Sequence, residues 1–425
     1  MLFRVWLILR WGGVGAAALS TVLTSTMPAM AEPEPCAVGI YRGLAPGFVA
    51  VTRSQAGLRY TFSDGRTGAL DQDGILCNGG RLQQVDGVHG DRVALRETDT
   101  VVRAGDIYLA GRLIEPPGAG PHTPLVVYAH GSEETGWLDH ARDPYQMVGR
   151  GISVFVYDKR GTGRSGGVYT QNFPQLADDL VAASREAKRL AQGRFGRFGL
   201  FGLSQGGWVA PLAARRAGAE FIGVGYGLVI DIREEDAAQV AQDLQAAGYG
   251  AQTLADARLI TDATARIATT GSDEAIAAFA QVRRRFEYAP WFGLVQGDYT
   301  GLLLSVPVDE IRIKILPRFV QYNIDWSLDP VEVVRAVEVP QLWVLAAADR
   351  QAPVDLTLER LIKLRDAGLN IAIHTFPTTD HGMWEYEDQP DGSRDFTRIT
   401  AGFYDLMADW AKGALSPPYG RATQP

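Results

Sequence analysis

Short β-like runs separated by turn signals fill the stretch from residue 36 to about 115: Gly47 to Thr52, Leu58 to Phe62 ahead of Ser63-Asp64-Gly65, Arg92 to Glu97, and Ile107 to Ile114. Fewer than a hundred residues of this kind predict a small β region, too short for a propeller. After the turn-rich Pro116 to Pro121 the rhythm changes to apolar runs alternating with amphipathic stretches, which predicts a mostly parallel sheet with helices on both faces. The expected strands are Leu125 to Ala129, Ile152 to Tyr157, Phe198 to Leu203, Phe221 to Gly225, Gln341 to Ala346 and Asn370 to Phe376. Helices are expected at Gln175 to Ala191, Gln205 to Ala217, Val354 to Ala367 and Arg394 to Lys412. An Ala-rich helical interruption, with helices at Glu234 to Ala247, Leu254 to Thr269 and Asp273 to Phe286, reads as a cap inserted into the sheet unit. The expected divisions are therefore 1–31, 32–118 (β region), 119–229 (first part of the α/β core), 230–334 (cap), 335–414 (second part) and 415–425 (tail).

The first segment carries Arg4 and Arg10 around an apolar run, then small residues, then Ala29-Met30-Ala31. That is the form of a cleaved signal peptide, expected here in preference to a retained anchor, so the mature chain is exported to the periplasm or beyond and keeps no stable membrane anchor. Losing two arginines and no acid takes the formal charge from −8 to −10. An acidic surface argues against nucleic acid and anionic membranes as partners. In an oxidising compartment the only cysteines, Cys36 and Cys77, are expected to form a disulfide, whose loop closure is worth roughly 3 to 4 kcal/mol. The alternative is a pair of buried thiols.

Gly202-Leu203-Ser204-Gln205-Gly206 sits between an expected strand and an expected helix. A G-x-S-x-G there places a serine on a strained turn above the sheet, with no room for side chains two positions either way. The serine needs a base. Of six histidines, His89 and His122 precede the sheet unit, His140 lies in a polar loop, His374 lies inside a strand, and His130 ends one where it suits the oxyanion site. His381 remains, in a loop after the last strand. Asp349 follows the strand Gln341 to Ala346 and is the expected orienting carboxylate, with Asp380 second and a helix cap as the plain alternative for Asp349. Oxyanion donors are expected from the backbone N–H groups of Gln205 and Ser132, with Glu133 as an alternative to the latter. The cap aromatics Trp291, Phe292, Tyr299, Phe319, Tyr322 and Trp326 are read first as the cap's own core and second as an acyl pocket. No metal motif is present and no cofactor is expected.

The set His130-Gly131-Ser132, Tyr157 to Gly166, Gly202 to Gly206, Asp349 and His381 resembles the α/β-hydrolase superfamily, and more narrowly exported bacterial serine esterases related to serine aminopeptidase-like hydrolases. The resemblance covers about residues 112–414 apart from the cap, and implies an α/β-hydrolase fold and hydrolysis of a small-molecule ester through an acyl-Ser204 intermediate. In that family the run Arg160-Gly161-Thr162-Gly163 is a structural turn; it lacks the Gly-Lys-Ser/Thr that closes a phosphate loop. An exopeptidase or amidase would use the same triad and needs an anchor for a substrate amine or carboxylate, which Asp325, Asp329, Glu310 and Arg312 do not single out. A binding protein on a hydrolase scaffold is the third reading, and an intact triad argues against it. Oligomeric state does not follow from the sequence.

Overall fold

The computed structural model describes residues 36–425 except 55, 73 and 139, so the expected signal segment lies outside the described residues. Strands β1 (Gly39–Arg42), β2 (Phe48–Ser54), β3 (Gly57–Phe62), β4 (Thr67–Ala69), β5 (Ile75–Asn78), β6 (Arg81–Gln84) and β7 (His89–Arg92) form one antiparallel sheet in the order β4-β3-β2-β1-β7-β6-β5. Cys36 and Cys77 are joined by a disulfide that ties β5 to the start of the described chain.

Strands β8 (Arg96–Ala104), β9 (Ile107–Glu115), β10 (Leu125–Ala129), β11 (Ser153–Tyr157), β12 (Phe198–Leu203), β13 (Phe221–Gly225), β14 (Gln341–Ala346) and β15 (Ile371–Phe376) build the main sheet, in the order β15-β14-β13-β12-β10-β11-β9-β8. From β11 to β15 every pairing is parallel. Residues of β10 to β14 are buried throughout, as a parallel sheet covered on both faces requires. Helices α1 (Arg142–Gly149), α2 (Phe173–Leu190) and α3 (Gly206–Ala217) follow β10, β11 and β12. The cap comprises α4 (Ile232–Ala246), α5 (Ala251–Thr270), α6 (Asp273–Phe286), α7 (Thr300–Leu304), α8 (Ile311–Lys314), α9 (Leu316–Tyr322) and α10 (Pro330–Arg335). Helix α11 (Asp355–Asp366) packs on β15, and a three-stranded sheet of β16 (Thr379–Asp380), β17 (Trp384–Asp388) and β18 (Arg394–Ile399) precedes α12 (Phe403–Lys412). One apolar core joins α2, α3 and the cap to one sheet face; a second joins α1 and α12 to the other.

Three expectations need correction. Arg92 to Glu97 is not one strand, because β7 ends at Arg92 and β8 begins at Arg96. β8 and β9 pair along all nine residues and β9 pairs antiparallel with β11, so they belong to the main sheet and the N-terminal sheet ends at Arg92, well before residue 118. Which sheet a strand joins is decided by distant partners, and local alternation does not report them. Arg394 to Lys412 is not one helix: Arg394 to Ile399 pairs with β17, and Gly402, at φ +91°, breaks the chain before α12. Helix α1, with Pro144 in its first turn, was not anticipated at all. The chain end folds back, with Tyr419 buried and Thr423 bridging Thr375 on the outer edge of β15.

Candidate active site

Four loops leave the carboxyl ends of strands β10, β12, β14 and β15 along one edge of the sheet, and each carries one of the expected groups. This is where ligands bind in open α/β sheets. Ser204 lies between β12 and α3 with φ +56°, a left-handed conformation that a side chain resists. Its neighbours explain how it is held. A Cβ on Gly202 would stand 2.1 Å from the Gly206 carbonyl oxygen, and one on Gly206 would stand 2.0 Å from that of Ala129. Ser204 N–H donates to the Gly225 carbonyl at 3.0 Å, and Gly207 N–H donates to the Ser204 carbonyl at 2.8 Å. Gln205 is the N-cap of α3, so its N–H lies at the helix's positive end.

His381 Nδ1 lies 2.8 Å from Asp349 Oδ2. The other oxygen, Asp349 Oδ1, accepts from the N–H groups of Gln351 (2.9 Å) and Ala352 (2.7 Å), so this carboxylate orders its own turn and the imidazole together. Asp349 is buried, while 13% of the His381 side chain is exposed, leaving the ring reachable. Tyr226, itself at φ +43°, sets its ring edge-on to His381 with centroids 5.0 Å apart. Asp380 has other work. Its Oδ1 accepts from the N–H groups of Arg350 (2.9 Å) and His381 (2.7 Å), and its Oδ2 accepts from Arg394 Nη1 at 2.6 Å.

On the opposite side of Ser204, a buried polar chain links the two loops expected to bind an oxyanion. Lys159 Nζ donates to the Gly131 carbonyl and to Gln205 Oε1 (3.2 Å). Gln205 Nε2 donates to Gln171 Oε1, Gln171 Nε2 donates to the Tyr169 hydroxyl, and that hydroxyl donates to the Ser132 carbonyl at 2.6 Å. Burial pushes the Lys159 pKa down to about 8, against the pull of Glu133 and Glu134. His130 is buried, stacked on Trp137 at 5.0 Å, with Nδ1 3.2 Å from Glu133 Oε2. Burial and Lys159 lower its pKa, against the opposing pull of Glu133 and Asp158. Asp158 shows why the glycine-rich run is a turn: its carboxylate accepts from the N–H groups of Trp137, Leu138 and Arg164.

The cap aromatics divide. Tyr299 packs edge-on against Phe319 and Trp326, and Trp291 packs against Phe286, as a local core does. Tyr322 instead reaches the core: its ring meets Tyr169 at 5.7 Å, its hydroxyl donates to Glu134 at 3.1 Å, and its carbonyl accepts from Gln171 N–H. Lys159, Gln171 and Arg394 escaped the sequence reading because their partners are far away in the chain. The one available signal was a lysine inside an otherwise structural turn.

Residues 120–261 match the family described as serine aminopeptidase, S33. No curated protein matches the chain. Among solved structures, an esterase from Pyrococcus furiosus is similar at 14% identity and a TM-score of 0.44, over 68% of this chain and 84% of that one. The acylaminoacyl peptidase of Pyrococcus horikoshii is similar at 14% identity and 0.45, over 90% and 52%. A proline iminopeptidase from Mycobacterium smegmatis is similar at 20% and 0.40, over 67% and 91%.

Proposed function

We propose that this member of the α/β-hydrolase superfamily is a serine hydrolase of carboxylic esters, with Ser204 as nucleophile, His381 as general base and acid, and Asp349 as the carboxylate that orients it. The observation that carries the reading is the left-handed Ser204 on the β12 to α3 turn, with a hydrogen-bonded His381 and Asp349 on neighbouring loops of the same sheet edge. Ser204 Oγ attacks the ester carbonyl as its proton passes to His381 Nε2, and the carbonyl π pair moves to oxygen. The N–H groups of Gln205 and Ser132 stabilise that oxyanion, each worth about 3 kcal/mol in such sites. Collapse breaks the bond to the alcohol, which leaves with the proton from His381. Water then attacks the acyl-serine, giving its proton to His381, and the acid departs as that proton returns to Ser204. Throughout, Nδ1–H remains bonded to Asp349, which stabilises the imidazolium.

An amide substrate would use the same steps, and the match to the serine aminopeptidase family favours keeping that reading second. A panel of short and long p-nitrophenyl esters beside aminoacyl-nitroanilides tests the choice. Ester turnover is expected; nitroanilide turnover with little ester turnover overturns it. The proposed setting is an exported one, which the disulfide between Cys36 and Cys77 supports. None of the described helices is long and apolar enough to cross a membrane.

A further inference from the structure

The loop between β13 and α4 runs directly beneath the nucleophile: a Cβ on Gly227 would lie 3.2 Å from the Ser204 carbonyl oxygen. Three residues on, the Ile230 carbonyl accepts from Trp208 Nε1 of α3 at 2.9 Å, and α4 begins at Ile232. On that helix Glu235, Gln239 and Gln242 are spaced to share one face. Gln242 Nε2 donates to the Asp349 carbonyl at 3.0 Å, and Gln239 Nε2 donates to the Gln351 carbonyl, so this face is turned to the loop that holds Asp349. Glu235 is 1% exposed, yet among the described residues neither carboxylate oxygen has a hydrogen-bond partner. Its neighbour Asp236 is equally buried and fully used, accepting from Tyr299 N–H, Thr300 N–H and the Thr300 hydroxyl. Two adjacent acids thus differ in kind: one orders the cap, and the other lies on the face turned to the Asp349 loop with no donor among the described residues. A buried carboxylate left without a donor is costly, and so calls for a partner that arrives with the ligand.

We infer that Glu235 anchors a protonated amine on the departing alcohol of the substrate, so that the esters this site selects are those of amino alcohols. The inference rests on the ester hydrolase reading above. The side of the substrate follows from the sheet order. Ser132 and Gly131 leave β10, on one flank of β12, whereas Asp349 and His381 follow β14 and β15, on the other. His381 must hand its proton to the leaving oxygen, so the space on its flank belongs to the alcohol. Glu235 stands on that flank. Burial raises its pKa to about 7, with Asp349 and Asp236 reinforcing and His381 opposing, so an incoming ammonium completes the ionised form at neutral pH. An alcohol lacking the amine leaves the acid unpaired, which is how a buried polar group rejects an apolar isostere.

The test uses two isosteric pairs at pH 7. In the first the amine is on the alcohol: 2-(dimethylamino)ethyl acetate against 3-methylbutyl acetate. In the second it is on the acyl side: ethyl dimethylglycinate against ethyl 3-methylbutanoate. Each ratio of kcat/KM is normalised to alkaline hydrolysis. Glu235→Gln is expected to lower the first ratio about tenfold or more, mainly through KM, and to move the second by less than about twofold. A first ratio unchanged within about twofold, or a change confined to the second pair, overturns the inference. Should the variant fail to fold, inhibition of the wild-type protein decides: 2-(dimethylamino)ethanol must bind about tenfold tighter than 3-methyl-1-butanol, and equal inhibition overturns it. Full ester turnover by Ser204→Ala would instead remove the hydrolase reading itself, independently of Glu235.

Discussion

Arg394 Nη1 lies 2.6 Å from Asp380 Oδ2, and the same nitrogen donates to the Ala348 carbonyl at 2.6 Å. One guanidinium on β18 thereby joins the loop of Asp349 to the loop of His381, and it is nearly buried, where such a bond is strong. Arg394→Ala is expected to lower kcat about ten- to a hundredfold with a smaller change in KM, because a displaced base costs the chemical step more than binding. Lysine at 394, which keeps the charge but not the fork, should recover part of it. Steady-state kinetics on one short ester checks both; kcat unchanged in Arg394→Ala contradicts the positioning role.

The two aspartates beside His381 should separate cleanly. Asp349→Asn leaves the size of the side chain but removes the charge that holds the imidazole, and kcat is expected to fall by about 10³ to 10⁴. Asp380→Asn keeps acceptors for the N–H groups of Arg350 and His381 and loses charge opposite Arg394, so a smaller loss is expected. The reverse ranking would make Asp380 the catalytic carboxylate.

Lys159 makes both stability and turnover depend on pH. Burial lowers its pKa to about 8, so the folded protein loses this cation above pH 8, while the unfolded chain keeps it to about 10.4. Between those values the unfolded state binds more protons, so this group adds stability as pH rises, and the site loses the positive charge beneath the oxyanion loops. We expect an alkaline limb in kcat near pH 8 that Lys159→Arg moves beyond the measurable range. Lys159→Met should lower kcat about ten- to a hundredfold at pH 7 by releasing Gly131 and Gln205. A pH profile identical in wild type and Lys159→Arg contradicts this.

The disulfide between Cys36 and Cys77 ties the N-terminal sheet, a different sheet from the one whose loops carry Ser204, Asp349 and His381. That sheet leans on α1, with Gln146 Nε2 donating to the Thr61 carbonyl at 2.9 Å and Arg150 Nη2 to that of Ser63 at 2.6 Å. Replacing both cysteines by serine is expected to lower unfolding stability by about 3 kcal/mol, read by urea titration with and without reductant. Ester turnover of the folded variant should stay near that of the parent.

What could be read ahead of the structure tracks how local the determinants are. The sharp turn at Ser204 was legible because it needs glycine at 202 and 206, a requirement that five consecutive residues carry. The parallel core was legible because strands buried on both faces leave unbroken apolar runs such as Leu125 to Ala129. His381 and Asp349 were reached through strand ends and chain order, and they do lie in contact. Strands β8 and β9 were misassigned because their sheet membership rests on the pairing of β9 with β11, 40 to 46 positions further along the chain, and Arg394 to Ile399 was read as helix although it pairs with β17. Lys159, Arg394 and Glu235 were invisible for the same reason, since each acquires its role only when loops or the cap close over the sheet edge.

The central claim is that Ser204 is the nucleophile. Treating the protein with a fluorophosphonate and sequencing the labelled peptide tests it most directly. A single adduct on Ser204 is expected, absent in Ser204→Ala and strongly slowed in His381→Ala. An adduct at another serine, or none in a protein that still cleaves esters, would contradict it.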